Sequence, residues 1–272
     1  MKDKNTSWGA IAEWYDGLVE DTADSYQKNV LMPNLIRLVD PKVGMAVLDV
    51  ACGQGYFARA FANNGAKVIG CDISSELIEL AKKHVSNDTI KKGSVVYNVT
   101  PSDKLTFVPD GSIDVVVIIL ALQNIEKILE TFQECSRTLK VGGRMIVVLN
   151  HPAFRVPKYS SWRWDDARNL RPEISGVQQA KMYRRIDEYM SEAQIKVDMT
   201  PGENIAAKKK FTVSFHRPLQ SYFKALNKSG LAVTRLEEWI SHKKSQVGPR
   251  SAEEDRTRKE IPMFLMIESR KF

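Results

Sequence analysis

"VLDVACGQGYFARAFANNGAKVIGCDIS", residues 47–74, decides the fold. "AVLDV" at 46–50 is an apolar run that predicts a strand. Gly53 and Gly55 follow, then residues 56–64 with helical periodicity, ended by Gly65. "KVIGCD" at 67–72 predicts a second strand that closes on an acid. Strand, glycine loop, helix and strand make a βαβ unit. Its loop lets a ligand approach the backbone N–H groups that open the helix.

The alternation continues outward from this unit. Ser74 is placed to cap a helix whose apolar positions are Leu77, Ile78, Leu80 and Ala81. "SVVYNV" at 94–99 and "IDVVVIIL" at 113–120 predict strands. A helix is expected from about Glu126 to Lys140, with Ile128, Leu129, Phe132 and Cys135 inward and the glycines at 142–143 as its stop. "RMIVVLN" at 144–150 predicts a fifth strand. The order implies an α/β fold with a doubly wound, mostly parallel sheet and helices on both faces. Ligands of such sheets bind at the carboxyl ends of the strands.

Residues 1–40 read as helical, with Trp8, Ile11, Ala12 and Tyr15 at helical spacing. The pattern breaks after Asn150, where "RRIDEYM", "QIKVDM" and "FTVSF" predict short strands of a hairpin or small sheet. It returns with a helix at 217–229 and strands at 231–239 and 261–269. The polar run at 241–260 reads as a surface loop. The expected parts are an N-terminal helical lid (1–40), a core (41–150), an inserted cap (151–214) and the C-terminal part of the core (215–272).

Composition narrows the class. The apolar fraction of 43% is that of a globular protein. The formal charge of +7 is spread along the chain, and its one tight basic cluster is "AAKKKF" at 206–211. A lysine-rich surface accounts for that better than a nucleic-acid partner. Cys52, Cys71 and Cys135 form no CxxC pair, so no disulfide framework or metal site is expected. No apolar run reaches the roughly 20 residues of a membrane helix, and the N-terminus has no apolar signal segment. A cytoplasmic setting is the expectation.

The loop fits G-x-G-x-x-A, and Asp72 lies 19 residues after Gly53, both as in dinucleotide-binding folds. Asp49 argues the other way. A pyrophosphate at the helix start would sit near this carboxylate, and like charges 4 Å apart cost roughly 4 kcal/mol at an effective dielectric of 20. A cationic nucleoside would be welcomed instead.

Asp49-Val50-Ala51-Cys52-Gly53-Gln54-Gly55 resembles the first motif of class I S-adenosylmethionine (SAM) dependent methyltransferases, with Ala51 where the first glycine is usual. Residues 109–150 resemble the fourth strand, following helix and fifth strand of the small-molecule branch, the type 11-like methyltransferases. The resemblance implies a Rossmann-like seven-stranded sheet, order 3-2-1-4-5-7-6, with the last strand antiparallel. It implies that Asp49 pairs with the methionine ammonium, that Gly53 and Gly55 admit the cofactor, and that Asp72 holds the ribose hydroxyls. Ile73 would pack on the adenine, Ser102 and Asp103 would meet its edge, and Ala51 and Leu120 would line the site. Tyr15, in "EWYDGL", resembles a lid residue whose ring faces the sulfonium.

A base is needed only for a hydroxyl, thiol or carbon acceptor. His151, after the fifth strand, is the first candidate for base or substrate contact, and His216 the second. Trp162, Trp164, Tyr183 and Tyr189 in the insertion could shape an apolar pocket or the cap's own core. The expected activity is methyl transfer from SAM to oxygen or carbon of a small organic acceptor, leaving S-adenosylhomocysteine (SAH). An RNA methyltransferase, a SAM-binding protein without turnover and, last, an NAD dehydrogenase are the rival readings.

Overall fold

A computed structural model describes residues 8–20, 22–87, 90, 92–165, 180–199 and 211–272. The described residues contain one seven-stranded sheet, built from β1 (Ala46–Val50), β2 (Lys67–Asp72), β3 (Ser94–Val99), β4 (Ile113–Ile119), β5 (Leu139–Asn150), β10 (Leu231–Trp239) and β11 (Phe264–Lys271). Its order is β3-β2-β1-β4-β5-β11-β10. The first five strands are parallel, and β11 runs antiparallel to both β5 and β10. Counted within the sheet, this is the expected 3-2-1-4-5-7-6.

Successive residues of each strand alternate between two apolar layers, because side chains along a strand point to opposite faces. Val47, Val115, Val117, Ile146 and Val148 pack on one face, against Leu35 and Leu38 of α2 (Met32–Val39), Phe57 and Phe61 of α3 (Tyr56–Asn63) and Ile78 of α4 (Ser75–Asn87). Leu48, Val116, Ile118, Val147 and Leu149 pack on the other, against Phe132 of α5 (Ile128–Thr138) and Tyr222 and Leu226 of α6 (Leu219–Lys228). Helices on both faces explain why the strands read as continuous apolar runs. Each large side chain so buried contributes about 1.5–3 kcal/mol.

Several elements differ from the sequence-based expectation. α5 ends at Thr138, and Leu139 is already extended, so the glycine pair does not stop the helix. Leu139 pairs with Ile113 and Arg144 with Val115, and residues 140–143 bulge out between these pairs. Gly143 is needed there, since a Cβ would stand 2.8 Å from the Lys140 carbonyl oxygen. The polar run at 241–260 contains α7 (Ser251–Glu260), which carries no apolar stripe. It is held instead by polar contacts: the Met182 N–H donates to Glu253 at 3.0 Å and the buried Thr257 hydroxyl to the Met182 carbonyl at 3.2 Å. The last core strand is shifted, to Phe264–Lys271.

Residues after β5 form two separate hairpins. β6 (Ser160–Trp164) pairs with β7 (Met182–Ile186), and β8 (Ala193–Asp198) with β9 (Phe211–His216). "RRIDEYM" is a strand only to Ile186. Ahead of the sheet, α1 (Ala12–Glu20) is preceded by a 3-10 turn at Gly9–Ile11, and a π-helical turn at Gln27–Leu31 leads into α2. The basic cluster at 206–210 lies outside the described residues. Among the described residues no helix is long and apolar enough to cross a membrane.

Candidate active site

At the carboxyl ends of β1 and β4 the chain leaves the sheet through left-handed backbone. Ala51 has φ +57°, Gly53 +56°, Gly55 +79° and Leu120 +53°. For the alanine and the leucine this costs about 1–2 kcal/mol each, strain of the kind that collects at functional sites. Gly55 opens α3, and a Cβ there would stand 2.3 Å from the Tyr97 hydroxyl. Gly55→Ala is therefore expected to lose at least about 2 kcal/mol of stability in denaturant unfolding, from the clash and the positive φ together.

Two cavities meet at this edge. One, of about 130 Å³, is bounded by Trp8, Tyr15, Asp49, Gly53, Leu120 and Asn124, among others. The other, of about 420 Å³, reaches Ser102, Asp103 and Lys127. They share Ala51, Asp72, Ile73, Asn124 and Ile125, so they form one crevice of small-ligand size. Ile73 is 47% exposed within it, an apolar side chain about half open to the crevice.

Asp49 is 2% exposed, and its Oδ2 has no hydrogen-bond partner. Burial, and secondarily the Asp72 charge, push its pKa up to about 8. Asp72 is raised too, by burial, against hydrogen bonds that pull it down. Its Oδ2 accepts the Gly53 N–H at 3.0 Å and its Oδ1 the Ser74 N–H at 2.9 Å, which pins the glycine loop to the end of β2. Tyr15 lines the same cavity as both acids. Its pKa is pushed up to about 12, first by burial and then by Asp72 and Asp49. Trp8 packs edge-on against it, ring centroids 5.3 Å apart.

Sequence reading passed over the residues that dock α1 on the loop. The Gln54 side chain donates to Glu20 at 3.0 Å, and buried Arg59 pairs with the same carboxylate. Arg59 also donates to the Gln54 carbonyl at 2.8 Å and to its Oε1 at 3.0 Å. A lone arginine inside an apolar helical stretch was the available signal. Trp8, Asn124 and Ile125 were also not foreseen as crevice walls.

The remaining candidates are placed as follows. Ser102 and Asp103 reach the larger cavity, with Ser102 hydrogen-bonded to Thr131 at 2.9 Å and Asp103 paired with Lys127 at 3.0 Å. Gly55 supports the loop without lining the crevice. His151 and His216 line neither cavity. The His151 Nδ1 accepts the Ala153 N–H at 3.3 Å, so its proton sits on Nε2 and is donated to Glu238 at 2.7 Å. Burial lowers its pKa, the effect of Glu238 notwithstanding. Both ring nitrogens of His151 are thus engaged at the exit of β5. His151→Ala is expected to lower stability by about 1–3 kcal/mol while SAH affinity is unchanged in calorimetry. His216 Nε2 donates to the Tyr189 carbonyl at 2.8 Å. The insertion's aromatics do not wall the crevice. Trp162 lies under Arg184 at 5.1 Å, Trp164 under Arg250 at 4.9 Å, and Tyr183 is exposed. The Tyr189 hydroxyl accepts the Leu219 N–H at 3.0 Å, at the start of α6. All three cysteines are free, and Cys52, at the loop, has its thiol pushed well up by burial, so it stays protonated.

Residues 48–147 match the family model described as a methyltransferase domain, Methyltransf_11. Residues 48–147 are thus similar to a methyltransferase domain. This domain is similar to the demethylmenaquinone methyltransferase of Tropheryma whipplei, 33% identical over 125 residues, covering 45% of this chain and 50% of the relative. It is also similar to the ubiquinone biosynthesis O-methyltransferase of Xanthomonas campestris, 32% identical over 139 residues, covering 49% and 54%. The chain thus spans about half the length of the curated relatives it matches. The crystal structure of a SAM-dependent methyltransferase from Mesorhizobium loti shares the fold, with TM-score 0.64 and 22% identity over 91% of this chain and 100% of that one. The crevice fits SAM, the cofactor on which the Mesorhizobium loti enzyme depends. It offers an unpartnered buried carboxylate to a cation, a second acid to hydroxyl groups, and a bare isoleucine to a flat ring.

Proposed function

We propose that the protein is a SAM-dependent methyltransferase acting on oxygen or carbon of a small organic acceptor. One observation carries this: Asp49 and Asp72 are buried side by side, and Asp49 has an oxygen without a partner. Two buried acids with no cation between them are costly, and a cationic ligand relieves that cost. A pyrophosphate would add to it.

When bound, SAM supplies a methyl group activated on a sulfonium. Asp49 holds the ammonium, Asp72 accepts the ribose hydroxyls with its free lone pairs, and Ile73 covers the adenine. Ser102 and Asp103 face the ring edge. Tyr15 closes the crevice from above and offers its ring to the positive sulfur, a contact worth about 0.5–2 kcal/mol. The chain's main contributions are alignment and exclusion of water. The docking of α1 through Glu20, Gln54 and Arg59 supports a lid role for the N-terminal helices. The described part of 151–214, residues 151–165, 180–199 and 211–214, is read as a cap. No base is assigned to His151, since both of its ring nitrogens are engaged. One relative is named for demethylmenaquinone and the other for ubiquinone biosynthesis, which supports a small-molecule acceptor. Free cysteines support a reducing, cytoplasmic setting.

Labelled-methyl transfer from SAM into a fractionated metabolite extract tests the reading. Label is expected in a small-molecule fraction. Tight SAM binding with no label in any fraction would leave a SAM-binding protein without turnover.

A further inference from the structure

Beyond β4 the chain turns through a 3-10 helix at Leu122–Asn124. Ala121, Asn124 and Ile125 face the cofactor crevice, whereas Gln123 faces a second, smaller void of about 40 Å³. Asn150 at the end of β5, Arg155, and His216 and Arg217 at the end of β9 complete its wall. The void therefore lies just across one turn from the crevice, between the sheet and the hairpins that follow it.

Its walls hold unspent positive charge. Arg217 is 7% exposed, donates through Nη2 to the Glu126 carbonyl at 2.6 Å, and has its Nη1 buried without a partner. The Nε of Arg155 is likewise buried and unpartnered. Arg184 does not line the void: it donates to the Phe154 carbonyl at 2.9 Å and the Ser160 hydroxyl at 2.7 Å, and shares the Trp162 ring with Arg155, at 5.1 and 5.7 Å. Burial lowers the pKa of Arg155, and burial with the Arg155 charge lowers that of Arg184 to about 10. None of the three forms an ion pair with a carboxylate among the described residues. Buried guanidinium N–H groups are ordinarily satisfied, so donors left open around one void call for an acceptor.

We infer that this void is the acceptor-binding subsite for a carboxylate, and that the molecule to be methylated is a small carboxylic acid. The inference rests on the methyltransferase reading for the word acceptor and on the arginines for the word acid. The volume suits it: a carboxylate head needs only a few times the roughly 10–15 Å³ that hold one water. The rest of the acid extends past Gln123, whose Nε2 is tied to the Leu120 carbonyl at 2.9 Å and whose Oε1 is open to a donor on the ligand.

Benzoate and its neutral match benzamide are the probes, titrated against the whole chain by thermal denaturation and calorimetry, with and without SAH. Benzoate is expected to stabilise the protein at about 10 mM and benzamide not. Arg155→Gln and Arg217→Gln are each expected to weaken benzoate at least about tenfold, with SAH affinity unchanged. Arg155→Gln keeps the test decisive if loss of the Glu126 contact unfolds the other variant. Equal response to both probes, no response, or benzoate binding untouched by Arg155→Gln would overturn the inference. Charge-selective binding that persists while SAH fails to bind would instead strike the methyltransferase reading and leave the anion site standing.

Discussion

Replacing Asp49 by Asn is expected to make the unliganded protein more stable at pH 8 and its SAM affinity lower by tenfold or more. The two effects have one cause. Asp49 is raised to about 8 in the native state, while an unfolded aspartate titrates near 4. Between those values the native chain holds a proton that the unfolded chain has released. Stability of the unliganded protein therefore falls as pH rises from about 4 to about 8, and is flat above that. Asp72, raised in the same direction, adds to the slope. A cation placed against Asp49 lowers its pKa, so SAM binding at pH 7 releases about one proton. Affinity accordingly climbs with pH and levels off near 8. Asn at this position removes the buried charge, the proton release and the affinity slope together. Unfolding curves across pH, with calorimetry in buffers of different ionisation heat, measure all three.

Asp72→Ala is expected to weaken SAM and SAH by tenfold or more, since charge-assisted hydrogen bonds are worth roughly 1.5–3 kcal/mol each. The loss exceeds that of the ribose contacts alone. The same carboxylate accepts the Gly53 and Ser74 N–H groups, so the alanine also frees the glycine loop and the start of α4. Asp72→Asn separates the parts, keeping one acceptor oxygen and losing the charge. Calorimetry should rank wild type above Asn above Ala. Equal affinity for all three in folded protein would remove Asp72 from the site.

The sheet was legible because its strands are buried on both faces and flanked by helices of clear period, as the runs at 46–50, 67–72 and 113–119 show. The acids at the ends of β1 and β2 were legible from charge alone. α7 was not, because it is polar all round and is held by Glu253 and Thr257 rather than by an apolar stripe. The end of α5 was misplaced because Leu139 is as apolar in the strand as it would be in the helix. Arg59 escaped notice, and Trp8 was read only for its helical spacing, because their partners, Glu20 and Tyr15, are set against them by the docking of α1. His151 stood at the right end of the right strand. Sequence position could not show that Glu238 of β10 and the Ala153 N–H occupy both of its nitrogens.

The central claim is that the crevice above Asp49 and Asp72 is built for a cationic nucleoside. Calorimetry of the wild-type chain with SAM and with NAD at pH 7, in two buffers, tests it most directly. The account predicts SAM binding with uptake of about one proton by the buffer, and no measurable heat from NAD. Binding of NAD in preference to SAM, strengthened by Asp49→Asn, would contradict it.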